Sequence, residues 1–574
     1  MVTAALCSTS FANVVINELM YHPPNDNEAR EFVEIHNTGA SAVSLTGWCV
    51  EGIDYCFTAG TTIAPGDYML LAKDAAQFQT AYGFPPDFVY AGQLSNSGER
   101  IAIKNASAIV QDEVEYSDVG FWPTKADGQG PSLERIDPSL GGNTPRNWRA
   151  SIAGPGHTAN AVNSVNAVGL PPWISEITHT TNPSAMAMIT VTARIEDATT
   201  NSFYYKIGFT PEVAGAMFDD GAHGDGAAGD GIFGAQIPGQ PVNTLIRYRI
   251  VATGPTGQMS YPRTDDTITY AGLMVQDPGL VTDLPVFHWF MDPAVYAAAI
   301  AHKLTDQLEP AVFAYDGIVY DGVMVRVRGQ SSRTWPKNHW KFYMPQGHDF
   351  YAPGLIALPV DQFNFQCNYS DKAYVREILS YESFRDSGNP SNQVFHVRLQ
   401  QNGQFYGLYN FLESMDEDYI ARNNLDTNAA WYKADDDCRF RTLAQLPNEY
   451  QKEQRLTEDY SDLFALLDGI NNLTGQAKTN FIFDNVNIPA TLNFLAAQCI
   501  VHNNDHVAKN YYLYRDTEGT GRWTFHTWDM DLTFGRNFGA GGGVLSDGIW
   551  ADDDAPHPSN TLVSPSHPLF GDSN

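Results

Sequence analysis

Cysteine, basic residues and long apolar runs are all scarce in this sequence. Only 6 of the 574 residues are cysteine, which excludes a small disulfide-bonded scaffold. The 34 Lys and Arg residues are outnumbered by 66 Asp and Glu, and the resulting formal charge of -32 disfavours nucleic acid and anionic membranes as partners. Because no apolar stretch approaches the length of a membrane span, we expect no transmembrane segment.

Hydrophobic residues are plentiful, at 43% of the chain with 12% aromatic, so packed domains are expected rather than disorder. The length predicts two to four of them. Residues 1–12 are small and apolar and end in Ser-Phe-Ala, which indicates the remnant of an export signal; an ordinary frayed terminus is the alternative. We therefore expect a secreted or cell-surface protein.

The cysteines leave two disulfide hypotheses. Cys49 and Cys56 flank a Gly-Ile-Asp turn between two strand-like runs, where a cross-strand disulfide and two free buried thiols are about equally plausible. Cys367 and Cys438 are a second, less supported pair.

Residues 13–153 alternate short apolar runs with turns, as expected of a β-sandwich. This segment resembles the lamin-tail domain family in the strings INELMYHP, EFVEIHN, GW, PGDYMLLA, LSNSGERIAI, FWPTKADGQGPSLERID and NWRAS. The resemblance implies an immunoglobulin-like sandwich that serves as an adhesive or spacer module, with contacts to cell surfaces or polysaccharides.

A Gly/Ala/Asn-rich stretch, residues 154–172, indicates a linker. Residues 173–275 alternate again and predict a second β-sandwich of the immunoglobulin or fibronectin III type. Its loop 219–230 spaces four aspartates among glycines, which makes it a candidate Ca²⁺ site. The loop lacks the spacing and closing Glu of an EF-hand, so a plain Asp/Gly turn cluster is the favoured alternative.

The composition changes after Pro285, and residues 285–574 predict a mixed α and β domain. A helical run leads to a polar loop with Asp505 and Asn510, two strands follow as a hairpin, and Asp529 and Asp531 come next. Phosphoryl transfer needs a carboxylate near the attacking hydroxyl and oxygen ligands for Mg²⁺, and protein kinases arrange them in this order. Each carboxylate taken alone is better explained as a helix cap or solvated turn.

The remaining parts of a nucleotide site are sought upstream. Two strands joined by a Gly/Ser turn predict a phosphate loop, after which Lys337 or Lys341 is the candidate phosphate-binding lysine. A helix from about Tyr374 carries Glu377, which is expected either to pair with that lysine or to form an exposed ion pair. A hairpin turning at Asn402-Gly403 then leads to Glu413.

This region resembles the CotH family of spore-coat kinases in the strings RGQSSRTWPKNHWKFYM, YGLYNFLESMD, NNDHVAKNYYLYRD and WDMDLTFG. The resemblance implies an atypical protein-kinase fold, ATP with Mg²⁺ or Mn²⁺, and phosphorylation of Ser/Thr in secreted or coat proteins. It implies Asp505 as the catalytic aspartate, Asn510, Asp529 and Asp531 as metal ligands, and Arg328, Lys337, Lys341 and Glu413 as cofactor-binding residues. The sequence ends soon after Asp531, so we expect the lobe to lack its usual helical remainder.

Three functions fit these observations. The leading hypothesis is an ATP-dependent kinase on an adhesive scaffold. The second is a non-catalytic surface protein whose kinase-like domain only binds a ligand. The third, a metal-dependent hydrolase using the same carboxylates, leaves the strand-turn-lysine element unexplained.

Overall fold

The computed structural model describes residues 13–503, residues 509–534 and Leu569. Strands dominate its N-terminal half, and the part up to Ala150 forms a sandwich around one apolar core. Its elements are β1 Val14–Met20, β2 Phe32–Asn37, β3 Val43–Ser44, β4 Cys49–Glu51, β5 Tyr55–Cys56, β6 Thr62–Ile63, β7 Tyr68–Ala72, α1 Ala75–Tyr82, β8 Phe88–Val89, β9 Gly98–Lys104, β10 Val110–Ser117, β11 Leu133–Arg135 and β12 Trp148–Ala150.

Two main sheets build this sandwich, in the orders β12-β11-β1-β2-β7-β8 and β10-β9-β4-β5. Alternate side chains of β1 and β2, such as Val14, Ile16, Val33 and Ile35, pack into the core between them. The Cys49–Cys56 disulfide is formed between β4 and β5, as one of the two alternatives predicted.

The second strand-rich unit packs around its own apolar cluster. Its strands are β13 Trp173–His179, β14 Ile189–Glu196, β15 Thr200–Ile207, β16 Val213–Gly215, β17 Ile232–Ile237, β18 Leu245–Gly254, β19 Gly257–Tyr261 and β20 Ala271–Met274. β13, β14 and β17 form one sheet, and β15, β16, β18, β19 and β20 belong to the other.

A barrel follows the second unit, and a further α/β part follows the barrel. The barrel elements are β21 Val286–Phe290, α2 Pro293–Ala301, β22 Glu309–Tyr315, β23 Ile318–Arg328, β24 His339–Tyr343, β25 Gln362–Gln366, α3 Arg376–Asp386, β26 Val394–Gln401 and β27 Gln404–Glu413. Those of the C-terminal part are α4 Glu417–Arg422, β28 Ala430–Ala434, α5 Leu446–Glu449, β29 Tyr450–Lys452, α6 Ser461–Asn472, α7 Gly475–Asn485, α8 Ile488–Ile500, β30 Tyr511–Arg515 and β31 Trp523–Thr527.

The pairing order β23-β22-β21-β26-β27-β25-β24 returns to its start because β24 also pairs with β23. The ring encloses an aromatic core to which every one of its strands contributes, with Phe287, Phe313, Phe342, Phe363 and Phe411 among the buried rings. Closure leaves the barrel without an open sheet edge, which is one way in which β proteins avoid edge-to-edge association.

The second unit and the barrel share one sheet, because β20 pairs with β23 at Leu273 and Ile318. Gly272 permits this close approach: a Cβ there would lie 2.5 Å from Val319 Cγ1. The sheet of the second unit therefore continues into the barrel wall.

The C-terminal part contains the sheet β29-β28-β30-β31, and α8 packs against β31. Cys438 is buried in its core, whereas Cys367 is buried in the barrel core. Both are free thiols, so the hypothesis of a second disulfide is wrong, because the two residues belong to separate apolar clusters. No helix in the described ranges is long and apolar enough to cross a membrane.

Candidate functional site

The open end of the β30–β31 hairpin brings Asn510 next to Asp529. The backbone N–H of Trp528 donates to the carbonyl of Asn510 at 3.2 Å, which fixes the two chain segments side by side. Asp529 then adopts a left-handed conformation, with φ 59° and ψ 66°, which few residues other than glycine, Asn and Asp adopt readily. The hairpin predicted from the sequence is confirmed, and its end carries two of the predicted metal ligands.

Asp531 follows in the short 3₁₀ turn Met530–Leu532, which begins directly after Asp529, and is 9% exposed. The Ser370 hydroxyl donates to its Oδ2 at 2.5 Å. Ser370 belongs to the loop between β25 and α3, so this hydrogen bond joins the barrel to the hairpin end.

Glu377 stands in the first turn of α3 and is fully buried. Its Oε2 accepts from the Asn410 side-chain amide at 2.9 Å, while its Oε1 has no hydrogen-bond partner in the described part of the chain. Asn410 is itself held by a reciprocal amide pair with Asn368. Burial raises the pKa of Glu377 to about 7; the Asn410 hydrogen bond opposes this rise, and the charge of Asp529 adds to it.

Arg328, the last residue of β23, faces the same space. Its guanidinium donates to the Gln366 side chain at 2.7 Å and lies 5.2 Å from the centre of the Trp528 ring. Its charge is also close enough to Glu377 to lower that group's pKa, against the larger effect of burial. The barrel wall, α3 and the hairpin end thus converge. The charges of Arg328, Glu377 and Asp529 lie close enough to interact.

The two candidate lysines contact carbonyl and aromatic groups, and Lys337 lies close enough to Cys367 to act on it together with Glu377 and Asp531. Lys337 donates to the Leu408 carbonyl at 2.6 Å and sits 4.3 Å from the centre of the Tyr409 ring. Burial lowers the pKa of Lys337 to about 8. Lys341 sits 4.9 Å from the centre of the Tyr343 ring. No ion pair links Glu377 to either lysine among residues 13–503, so the expected lysine–glutamate pair is not observed, and Glu377 is not in an exposed ion pair either.

Glu413 ends β27 and is 2% exposed. Both of its carboxylate oxygens accept from the Arg422 guanidinium at 2.6 Å, and Oε2 also accepts from the backbone N–H of Gln393 at 2.9 Å. This pairing stabilises the junction between the barrel and α4. A cofactor-binding role for Glu413 stays a prediction.

The predicted catalytic Asp505 lies in residues 504–508, outside the described ranges, so its position stays a prediction. Within the described residues, no group of three or more His, Cys, Asp or Glu side chains is arranged to hold a metal ion. In the loop 219–230, Asp219 and Asp225 accept backbone N–H groups, for example from Gly229 at 2.6 Å and Gly221 at 2.9 Å. These are Asp/Gly turn contacts, and Ca²⁺ binding in this loop stays a prediction.

Three residues of this site were not predicted from the sequence: Asn368, Ser370 and Asn410. Asn368 and Ser370 belong to the string QCNYSD directly after a buried strand, where polar residues commonly mark a site at a strand end. Asn410 lies inside the apolar string YGLYNFLE, and a lone amide in such a run was the available signal.

Comparison with known proteins supports both resemblances. Residues 325–564 match the family model described as CotH kinase protein, and residues 8–118 match the Lamin Tail Domain model. A relative, "Inner spore coat protein H" of Bacillus subtilis (strain 168), is 27% identical over 266 residues, which cover 45% of this chain and 70% of that protein.

Strands β1 to β10 of the N-terminal sandwich fall within the lamin-tail match, and the converging residues from Arg328 to Asp531 all fall within the CotH match. The chain is therefore a multidomain protein that joins a lamin-tail domain to a CotH domain.

Proposed function

We propose that the CotH region transfers the γ-phosphate of ATP to Ser or Thr side chains of other proteins. The observation that carries this proposal is the convergence of Arg328, Glu377, Asp529 and Asp531 from three separate elements on one space. A cation and several oxygen ligands from different elements are what a metal-bound triphosphate requires.

The residues present fit a Mg²⁺- or Mn²⁺-bound nucleotide. Mg²⁺ is commonly held by one or two carboxylates together with substrate phosphates, so Asp529 and Asp531 are sufficient without a third acidic side chain. Oε1 of Glu377, which has no hydrogen-bond partner among the described residues, and Asn510, beside Asp529, would supply further oxygen atoms. When bound, the cation would neutralise the charge that develops on the transferring phosphoryl group.

The position of each side chain suggests its role in binding the metal-bound nucleotide. Asp529 and Asp531 would hold the cation, with Ser370 fixing the orientation of Asp531. Arg328 would face the phosphates from the barrel wall, because its guanidinium is delocalised and always charged. Asp505 is proposed to accept the proton of the attacking hydroxyl.

The substrate class follows from the relative. Since that protein is a spore-coat protein, we infer that this chain acts on secreted or coat proteins and resides in a coat or at a surface. The two strand-rich units in front of the CotH region would hold it there through contacts with the cell surface or with polysaccharide.

A second function, ligand binding without catalysis, is favoured by the lysines. Lys337 donates to the Leu408 carbonyl and contacts two aromatic rings, and in the part of the chain that the structure describes neither lysine forms an ion pair with Glu377. Kinases use such a pair to position the phosphates.

Binding and turnover are tested separately in the full chain. Thermal unfolding with and without Mg²⁺-ATP reports binding, since a ligand bound only to the folded state raises its stability. Labelled ATP with a mixture of Ser/Thr peptides reports phosphoryl transfer. Asp529→Asn is compared with Asp484→Asn, which makes the same charge change at the exposed end of α7.

We expect Asp529→Asn to lose both the stabilisation by Mg²⁺-ATP and the labelling, and Asp484→Asn to retain them. Stabilisation without labelled peptide in the native chain would support the non-catalytic function. Release of free phosphate alone would indicate hydrolysis, and the absence of any stabilisation would refute nucleotide binding.

A further inference from the structure

Three glutamates form a row across the outer face of the lamin-tail sheet. β1 lies between β2 and β11, and Glu18 is directly opposite both Glu34 and Glu134 in the strand register. Each of the three is fully buried. Carboxyl groups are rarely buried without a basic partner, so this arrangement needs an explanation.

A single stretch of chain, residues 156–165, covers the row; we call it the covering segment. It lies in the region expected to be a plain linker, yet it hydrogen-bonds to all three glutamates. The contacts are Thr158 N and Oγ1 to Glu18 at 2.9 and 3.0 Å, Thr158 Oγ1 to Glu134 at 2.9 Å, Asn160 N to Glu34 at 2.5 Å, Ser164 Oγ to Glu134 at 2.7 Å, and Val165 N to Glu134 at 3.2 Å.

The basic groups near the row do not neutralise it. Arg149 is opposite Glu134 in β12, but its guanidinium donates to Thr264 at 2.6 Å and lies 3.7 Å from Asp265. His157 belongs to the covering segment, and burial lowers its pKa, so its ring is neutral at neutral pH.

Two tyrosine phenols also lie near the row, and Arg30 lies near one of them, Tyr82. The Tyr82 hydroxyl of α1 donates to the Arg30 carbonyl, and the Tyr68 phenol of β7 lies near Glu34. Burial raises the pKa of Glu18 to about 7, and burial and the charge of Glu18 raise that of Glu34 well above its ordinary value.

We propose that the glutamate row and the covering segment form a pH-sensitive closure, which protonation of Glu18 and Glu34 holds shut and their deprotonation above neutral pH opens. The geometry supplies the reason. Adjacent buried carboxylates repel one another once more than one is ionised, and the covering segment, which has no regular secondary structure of its own, donates hydrogen bonds to all three.

Whether the closure strengthens or weakens with pH follows from the direction of the pKa shifts of Glu18 and Glu34. A carboxyl group whose pKa is raised by folding binds protons more tightly in the closed state. Closure is therefore strongest at acidic pH, and it weakens as the pH rises above the ordinary glutamate value and through neutrality.

Hydrogen exchange of the amides in the covering segment tests this closure in the full chain. For each carboxyl group that ionises on opening, protection is expected to fall by up to about tenfold per pH unit between its ordinary pKa in the open state and its raised pKa in the closed state, after correction for intrinsic exchange. Glu34→Gln keeps the shape and removes the charge, so its covering segment should stay protected at alkaline pH. Glu115→Gln, at an exposed position on β10, is the matched control and should behave like the native chain.

Equal pH dependence in the native chain and Glu34→Gln would overturn the proposal. If Glu34→Gln does not fold, difference infrared spectra of the native chain decide instead. Protonated carboxyl groups that disappear between about pH 6 and about pH 9 in step with amide exposure support the closure. Ionised carboxyl groups throughout that range refute it.

Discussion

At Glu413, the sequence and the structure suggest different roles. The sequence places it in a string shared with the CotH family, whereas its contacts are those of a buried ion pair with Arg422. Burial raises the pKa of Glu413, against the opposing effect of Arg422. A buried carboxylate left without its cation is costly, so the pair can be tested by removing the arginine.

We expect Arg422→Met to lower the free energy of unfolding of the CotH region by about 3 kcal/mol, because Glu413 would remain buried without its cation. Denaturant unfolding followed by tryptophan fluorescence measures the change. Arg385→Met is the control, since Arg385 and its partner Asp386 are both exposed, and its effect should stay within about 0.5 kcal/mol. Equal effects of the two variants would contradict a structural role for the pair.

Individual residues were the least predictable level of this structure. The sequence placed Asn510 before a predicted hairpin and Asp529 after it, and in the described residues these two lie side by side at the open end of that hairpin. The glutamate row was missed because Glu18, Glu34 and Glu134 each occupy a separate apolar string. Only the pairing of β1 with the distant β11, which no local pattern specifies, brings them together.

Elements were predicted better, because periodicity and turn residues are local signals. The hairpin at Asn402-Gly403, the helix near Glu377 and the helix before the polar loop with Asp505, α8, all appear close to their expected positions. The pairings that close the barrel could not be predicted, since β21 and β26 are parallel neighbours separated by four other strands in the chain. Neither could the continuation of one sheet from β20 into β23.

We expect Gly272→Ala to weaken that continuation, because the new Cβ would lie 2.5 Å from Val319 Cγ1 and 2.9 Å from Val319 Cβ. Overpacking of this kind costs about 1–3 kcal/mol. Calorimetry should show the second unit unfolding at a lower temperature than in the native chain. Gly215→Ala is the control, since the nearest atom to its Cβ would be 3.5 Å away, and no loss is expected there. Unchanged unfolding of Gly272→Ala would mean that the strand junction contributes no stability.

Across the whole molecule, polar contacts join the lamin-tail domain to the other units. Arg263, near the end of the second unit, donates to the Trp148 carbonyl at 2.6 Å. The Gln346 amide of the barrel donates to Asp127 at 2.6 Å, and Asp127 also contacts His22 at 2.5 Å. His22 contacts Asp26 through its other ring nitrogen.

His22 makes this junction sensitive to pH. Burial alone would lower the pKa of His22, but its hydrogen bonds to Asp127 and Asp26 outweigh burial and raise that pKa to about 9. A raised histidine pKa stabilises the fold fully below about pH 6.5, and this contribution is lost as the pH rises through about 9.

We expect His22→Gln to reduce the stability that the native chain loses between about pH 7 and about pH 10. One pKa unit corresponds to about 1.4 kcal/mol, and partial exposure limits the effect to about 1–2 kcal/mol. Thermal unfolding at the two pH values measures it. His36→Gln serves as the control because burial lowers the pKa of His36, so that ring does not titrate in this range. Identical pH dependence in the native chain and His22→Gln would show that His22 is not charged in the folded protein.

The pairing of Leu273 with Ile318 has a mechanical consequence. A load applied between the lamin-tail domain and the CotH region would reach the barrel wall through this short pairing, with the Arg247–Asp321 ion pair and side-chain contacts such as Gln346–Asp127 acting in parallel. Under force, the β20–β23 pairing would break before the closed barrel unfolded. A stretched molecule would therefore lengthen in steps while its CotH region stayed folded.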